Sequence, residues 1–155
     1  CELLIKEILH VSKKYNCKII CPEDVVVSKN VEGDGKNKNI NEINENEMIL
    51  DIGPKTILTI NKVISESNTV LWNGPAGYFE NPNFQNGTKE ILKAISTKTI
   101  NDKIFSVAGG GETVAAINKF KKLDSFTFVS TAGGAFLEYL EGKTLPGIKA
   151  LNQNV

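Results

Sequence analysis

Apolar residues Leu3, Leu4, Ile8 and Val11 recur at steps that fit one face of a helix, which predicts an amphipathic helix over Glu2–Tyr15. "CKIICP" then reads as a short strand stopped by Pro22, and "DVVVS" as a second β-branched run. From Lys29 to Glu47 the pattern dissolves into Asn, Lys, Glu and Gly, the composition of an exposed loop or hairpin with some disorder. "MILDIG" resumes as a strand and stops at Gly53-Pro54, and Pro54 suits the first turn of a helix running to about Ser67. The alternation then repeats. "TVLWN" precedes a helix over Asn86–Thr97, "KIFSVA" one over Glu112–Lys122, and "SFTFVS" one over Gly134–Gly142. The tail "KTLPGIKALNQNV" has no periodicity, and no repeat of fixed period is visible.

Strands alternating with helices predict an α/β fold, a three-layer α/β/α arrangement around a mainly parallel, Rossmann-like sheet. A chain of 155 residues is about one domain long and can bury a core. Its eighteen basic residues, all Lys, balance eighteen Asp plus Glu, so charge offers no case for a nucleic-acid or membrane partner. Cys17 and Cys21 would share one strand face about 13 Å apart at ~3.3 Å per residue, too far for a disulfide within the strand. With His10 the only histidine, a metal site lacks ligands, and buried reduced cysteines in a cytoplasmic protein are the expectation. His10 itself reads as a partly exposed helix residue. The sequence has no signal peptide and no apolar run of membrane-spanning length. It opens inside a helix without Met, and the expectation is a part of a longer protein.

In open α/β sheets, ligands bind outside the carboxyl ends of the strands. Four predicted strand ends carry glycine-rich turns: "DIGPKT" (51–56), "WNGPAGYFE" (72–80), "AGGGETVA" (108–115) and "STAGGAFLE" (130–138). Glycine lets backbone approach a ligand, and the following helix offers free N–H groups with a partial positive charge, which together bind anions such as phosphate. A single such turn more often serves close helix–strand packing, but four on one edge favour an anion site. There is no G-x-x-x-x-G-K-[ST] motif. "GGGET" fails G-x-G-x-x-G because Val114 stands at the third glycine position, and no G-x-S-x-G occurs. P-loop, nicotinamide-binding and hydrolase readings are therefore disfavoured.

"VLWNGPAGYFE", "VAGGGETVAAI" and "FVSTAGGAFLEYLEGKTLPGI" closely resemble three segments of the phosphoglycerate kinase family, and "DIGPKT" and "KIICPEDVVVS" resemble it in the same order. The resemblance covers nearly the whole chain and matches the second part of the family's carboxy-terminal, nucleotide-binding lobe; the amino-terminal lobe, which binds 3-phosphoglycerate, is absent. It implies that Gly74, Ala76 and Phe79 lie near ATP or ADP and that Glu80 accepts hydrogen bonds from ribose hydroxyls. It implies that Gly110, Gly111 and Thr113 face the phosphates, with Glu112 holding Mg²⁺. Many members have Asp in place of Glu112, and the extra methylene permits contact through a water. It further implies that the N–H groups of Gly133, Gly134 and Ala135 meet the transferring phosphoryl group. Ala132 stands where many members have a third Gly, and Tyr78 where a smaller aliphatic residue is usual. Asp51 and Thr56 would support the neighbouring turn without acting in catalysis. The implied reaction is reversible phosphoryl transfer between MgATP and 3-phosphoglycerate, by a cytoplasmic enzyme expected to be monomeric at full length. Its acceptor is a carboxylate already ionised at pH 7, so no general base is needed, but cations are. Family members draw Lys and Arg from the absent part, so these 155 residues are expected to be inactive alone. The alternatives are a non-catalytic nucleotide-binding module and a purely structural α/β domain.

Overall fold

The computed structural model describes residues 2–152, so Cys1 and the last three residues lie outside it. In chain order the elements are α1 (Glu2–Lys14), β1 (Asp24–Ser28), β2 (Lys36–Asn39), β3 (Met48–Ile52), α2 (Pro54–Glu66), β4 (Thr69–Asn73), α3 (Asn86–Asp102), β5 (Phe105–Gly109), α4 (Gly111–Lys119), β6 (Phe128–Val129), α5 (Gly134–Leu140) and α6 (Pro146–Asn152). The α/β alternation from β4 onward follows the predicted periodicity and builds a parallel sheet in the order β4-β5-β6. The first three strands form a separate antiparallel sheet, β2-β1-β3.

That second sheet corrects one expectation. "DIGPKT" follows β3, so it does not share an edge with the other three glycine turns. The Asn- and Lys-rich stretch takes the hairpin form: β2 pairs with β1, and Lys38 bridges to Glu47 at 2.8 Å. "CKIICP" is not a strand. Residues 17–22 run as irregular chain, no described strand pairs with them, and a strand without a partner leaves its N–H and C=O groups unmet. Cys17 and Cys21 are accordingly exposed free thiols rather than buried ones. Helix α1 forms where its apolar spacing places it, yet buries none of its residues. The tail, without periodicity, still yields α6, which starts at Pro146.

The core lies between the parallel sheet and the helices. Helices α2 and α3 pack together through Ile57, Ile64, Ile91, Leu92 and Ile95, and α3 touches both β3 and β5, joining the two sheets. Trp72 on β4 stacks on Phe126, with ring centroids 6.1 Å apart and planes 13° off parallel. Strand parity puts Trp72 and Ala108 on the buried face and Leu71, Phe105 and Phe128 on the other, where each is about half exposed.

Asp24 at the start of β1 is fully buried, and its carboxylate closes the N-terminus of α2. The N–H groups of Lys55 and Thr56 donate to it at 3.0 and 2.8 Å, and the Thr56 hydroxyl at 2.8 Å. Burial pushes this carboxyl up, but the Thr56 and Lys55 N–H groups, the Thr56 hydroxyl and Asn37 together hold it below the usual range. A carboxyl whose folded pKa lies below its unfolded value stabilises the fold above the unfolded value and loses that contribution as pH falls through the folded one. Asp24→Asn places a donor where one of these acceptors stood and is expected to cost about 1–3 kcal/mol at neutral pH. In denaturant titrations across a pH series, the gap between wild type and variant should close below the ordinary Asp value of about 3.9.

Candidate functional site

Parallel pairing aligns the carboxyl ends of β4, β5 and β6, and Asn73 lies opposite Gly109 in the register. The turns that follow carry Gly74, Gly110 and Gly133, with φ of +96°, +93° and +58°. These left-handed values are strained for any residue with a Cβ, so each strand can end abruptly and release its backbone toward the sheet edge. At Gly110 a Cβ would also lie 2.6 Å from the Asn73 carboxamide oxygen, which uses that room.

The glycines divide into two groups. Gly109, Gly77 and Gly87 are structural: a Cβ on Gly109 would strike the Phe136 ring, and one on Gly77 or Gly87 would strike the Asp51 carboxylate. By contrast, a Cβ on Gly74, Gly111, Gly133 or Gly134 would meet no protein atom within 4 Å. Packing explains the first group and leaves the second unexplained. Gly110 and Gly133 immediately precede helices α4 and α5, and neither helix receives a side-chain cap. Their first N–H groups have no intrahelical acceptor, so an anion approaching these turns finds donors and a favourable dipole.

Thr113 is fully buried, and its hydroxyl accepts the Gly74 N–H at 2.6 Å, binding the β4 turn to α4. In this geometry the hydroxyl acts inside the protein rather than at its surface. Glu112, in the first turn of α4, is exposed. It is the only acidic side chain in the turns after β5 and β6 up to Phe136, and no cluster of three metal-ligating side chains occurs among the described residues. One carboxylate beside open backbone donors suits Mg²⁺ shared with phosphate oxygens, since that ion is often held by one or two carboxylates plus substrate.

The segment after Gly74 folds back as a tight loop. The Ala76 and Gly77 N–H groups donate to the buried Thr88 hydroxyl at 3.1 and 3.3 Å, and the Tyr78 N–H donates to the Leu50 carbonyl at 2.7 Å. Phe79 turns inward and is 5% exposed, and its ring packs in the core. Glu80 points out and is exposed. Between this loop and the antiparallel sheet lies a groove of about 540 Å³ lined by Ile49, Leu50, Pro75, Ala76 and Tyr78 among others. Its walls from β3 had no signal in the sequence, where "MILDIG" reads only as a strand.

Beneath the loop sits Asp51, 1% exposed. Its two oxygens accept the N–H of Ile52 at 2.8 Å and of Gly87, in the first turn of α3, at 2.8 Å. Burial raises this carboxyl above its usual range against the N–H groups of Gly87, Ile52 and Asn86. The expected supporting role of Asp51 is thus visible in its contacts, whereas Thr56 serves Asp24 instead.

The family described as phosphoglycerate kinase matches residues 2–143 of this chain. Phosphoglycerate kinases of Wolbachia pipientis subsp. Culex pipiens and Orientia tsutsugamushi are 44% and 46% identical to it, over 95% and 96% of the chain. The chain spans 38% and 37% of the length of these two relatives. Among solved structures, phosphoglycerate kinase from Coxiella burnetii superposes with a TM-score of 0.87 at 41% identity, covering 96% of this chain and 38% of that one. The enzyme from Pyrococcus horikoshii OT3 gives a TM-score of 0.73 at 30% identity, over 97% of this chain and 38% of that one.

The two glycine groups should separate experimentally. Gly77→Ala forces a methyl onto Asp51 and should cost about 1–3 kcal/mol of stability by denaturant titration. Gly111→Ala, in helical backbone with open space above it, should leave stability within about 0.5 kcal/mol.

Proposed function

The chain belongs to the phosphoglycerate kinase family, and from that premise we propose that it carries part of the nucleotide site of a kinase that moves a phosphoryl group reversibly between MgATP and 3-phosphoglycerate. One observation carries the reading furthest: Gly74, Gly111, Gly133 and Gly134 have no packing partner. Three of the four open the two helices that lack a side-chain cap or stand beside their first residue. Packing accounts for Gly109 and Gly77 and positive φ for Gly74 and Gly133, which leaves Gly111 and Gly134 with neither.

In this reading the apolar groove beside Pro75 and Tyr78 takes the base, and Glu80 accepts the ribose hydroxyls with a side chain that is acceptor-only when ionised. The N–H groups at the start of α4 receive phosphate oxygens, and Glu112 holds Mg²⁺, which would supply charge neutralisation between neighbouring phosphates. Backbone N–H groups of Gly133, Gly134 and Ala135 steady the equatorial oxygens of the group in transfer. Such donors need no reorganisation at the moment of reaction, and positioning of this kind supplies most of the catalysis in phosphoryl transfer. The 3-phosphoglycerate acceptor would be held by the amino-terminal lobe of a full-length, monomeric, cytoplasmic enzyme. No described helix is long and apolar enough to cross a membrane.

Calorimetric titration with MgADP tests the placement. Glu80→Ala should weaken binding about tenfold, the loss of hydroxyl bonds to a charged acceptor. Equal affinity in the variant would remove the ribose from this loop. Without arginine and without the acceptor lobe, the 155-residue chain should show no turnover of 3-phosphoglycerate and ATP in a coupled assay. Measurable turnover would show that the catalytic set is complete within it.

A further inference from the structure

We infer that Lys119 is a positioning residue that fixes the Glu80 loop and thereby sets the site's preference for a nucleotide with ribose hydroxyls. The inference rests on the nucleotide reading above and deepens it. Lys119 is the last residue of α4, one of eighteen lysines, and the sequence does not distinguish it from the others. In the fold its ammonium donates to the backbone carbonyls of both Phe79 and Glu80, the second at 3.2 Å, and lies 5.7 Å from the centroid of the Phe79 ring. An ammonium has three donors and no acceptor, so two consecutive carbonyls and a ring face satisfy it together.

The loop's inner half has other anchors: Thr88 holds Ala76 and Gly77, and Leu50 holds Tyr78. Past the buried Phe79 ring, Lys119 is the side chain that takes hold of the Glu80 backbone among the described residues. The Glu80 carboxylate itself makes no described ion pair, and past it the Asn81 side chain donates to the Val31 carbonyl at 2.7 Å, so Glu80 is held between Lys119 on its own carbonyl and the Asn81 anchor beyond it. Helix α4 therefore grips this loop twice, through Thr113 on the Gly74 N–H and through Lys119 on the Phe79 and Glu80 carbonyls. The same helix carries Glu112 and the phosphate-facing N–H groups in its first turn. One rigid element thus sets the distance between the phosphate turn and the ribose carboxylate. Because the gripped atoms are main-chain carbonyls, no substitution within the loop removes them; control lies with residue 119.

The test compares MgADP with Mg 2′,3′-dideoxy-ADP on wild type, Lys119→Met, Lys119→Gln and Lys119→Arg by calorimetry, with thermal melts confirming that each variant is folded. Wild type should prefer ADP about tenfold. Lys119→Met should lose about three- to tenfold of ADP affinity and leave the dideoxy analogue unchanged, so that the preference collapses. Lys119→Arg, which can still donate to both carbonyls, should keep most of it, and Lys119→Gln, with a shorter neutral donor, should fall between. Equal loss for both nucleotides would mean a general effect of charge or structure and would overturn the inference, as would an unchanged preference in Lys119→Met. Failure of the wild-type chain to bind MgADP, or to prefer it, would instead overturn the nucleotide reading or its ribose clamp, and this inference with it.

Discussion

Asp24 and Asp51 stand on adjacent antiparallel strands, and each carboxylate ends on the N-terminus of a helix. Neither has a cationic partner among the described residues. Burying an unpaired carboxylate is costly, and what offsets the cost here is backbone N–H and the helix dipole. Asp24 accepts two backbone N–H groups and also the Thr56 hydroxyl and Asn37, and is held low; Asp51 accepts backbone N–H groups alone and burial pushes it up. These contacts set where α2 and α3 begin. Since α3 touches both sheets, they also fix how the antiparallel sheet meets the parallel one.

The remaining strand–helix junctions use the opposite arrangement. Helices α2 and α3 are closed by the protein's own carboxylates, whereas α4 and α5 start from glycine without a side-chain cap. The same electrostatic feature, a helix N-terminus, is consumed internally at α2 and α3 and left without a side-chain cap at α4 and α5. The glycines around Asp51 are filled by neighbours, whereas at the edge of β4-β5-β6 Gly109 and Gly110 are filled and Gly74, Gly111, Gly133 and Gly134 are open.

Periodicity made the α/β alternation legible, and glycine turns marked the sheet edge, because both are local signals. What stayed hidden depends on contacts between distant residues. "CKIICP" has strand composition but no strand to pair with, and α1 has an amphipathic pattern but nothing described to bury it against. Phe79 and Thr113 sit inside recognisable motifs, yet one ring turns into the core and one hydroxyl serves the Gly74 turn. No motif announced that Asp24 rather than Asp51 would meet Thr56, since that bond joins residues 32 positions apart. Nor could "DIGPKT" be excluded from the shared edge before β3 was seen to join a different sheet.

The nest around Asp51 has a consequence for how this segment can change over time. The carboxylate fits because two neighbours, Gly77 and Gly87, lack a Cβ, and its oxygens in turn fill the space both would need. A methyl at either glycine is excluded by Asp51 and by a second neighbour, the Phe84 carbonyl at Gly77 and Ile52 at Gly87, and a shorter residue at 51 abandons the α3 N–H to the interior. Each single step crosses a loss of stability, and shortening residue 51 alone frees neither glycine. The loop that presents Glu80 is thereby held to a narrow set of sequences, by a side chain that takes no part in the chemistry.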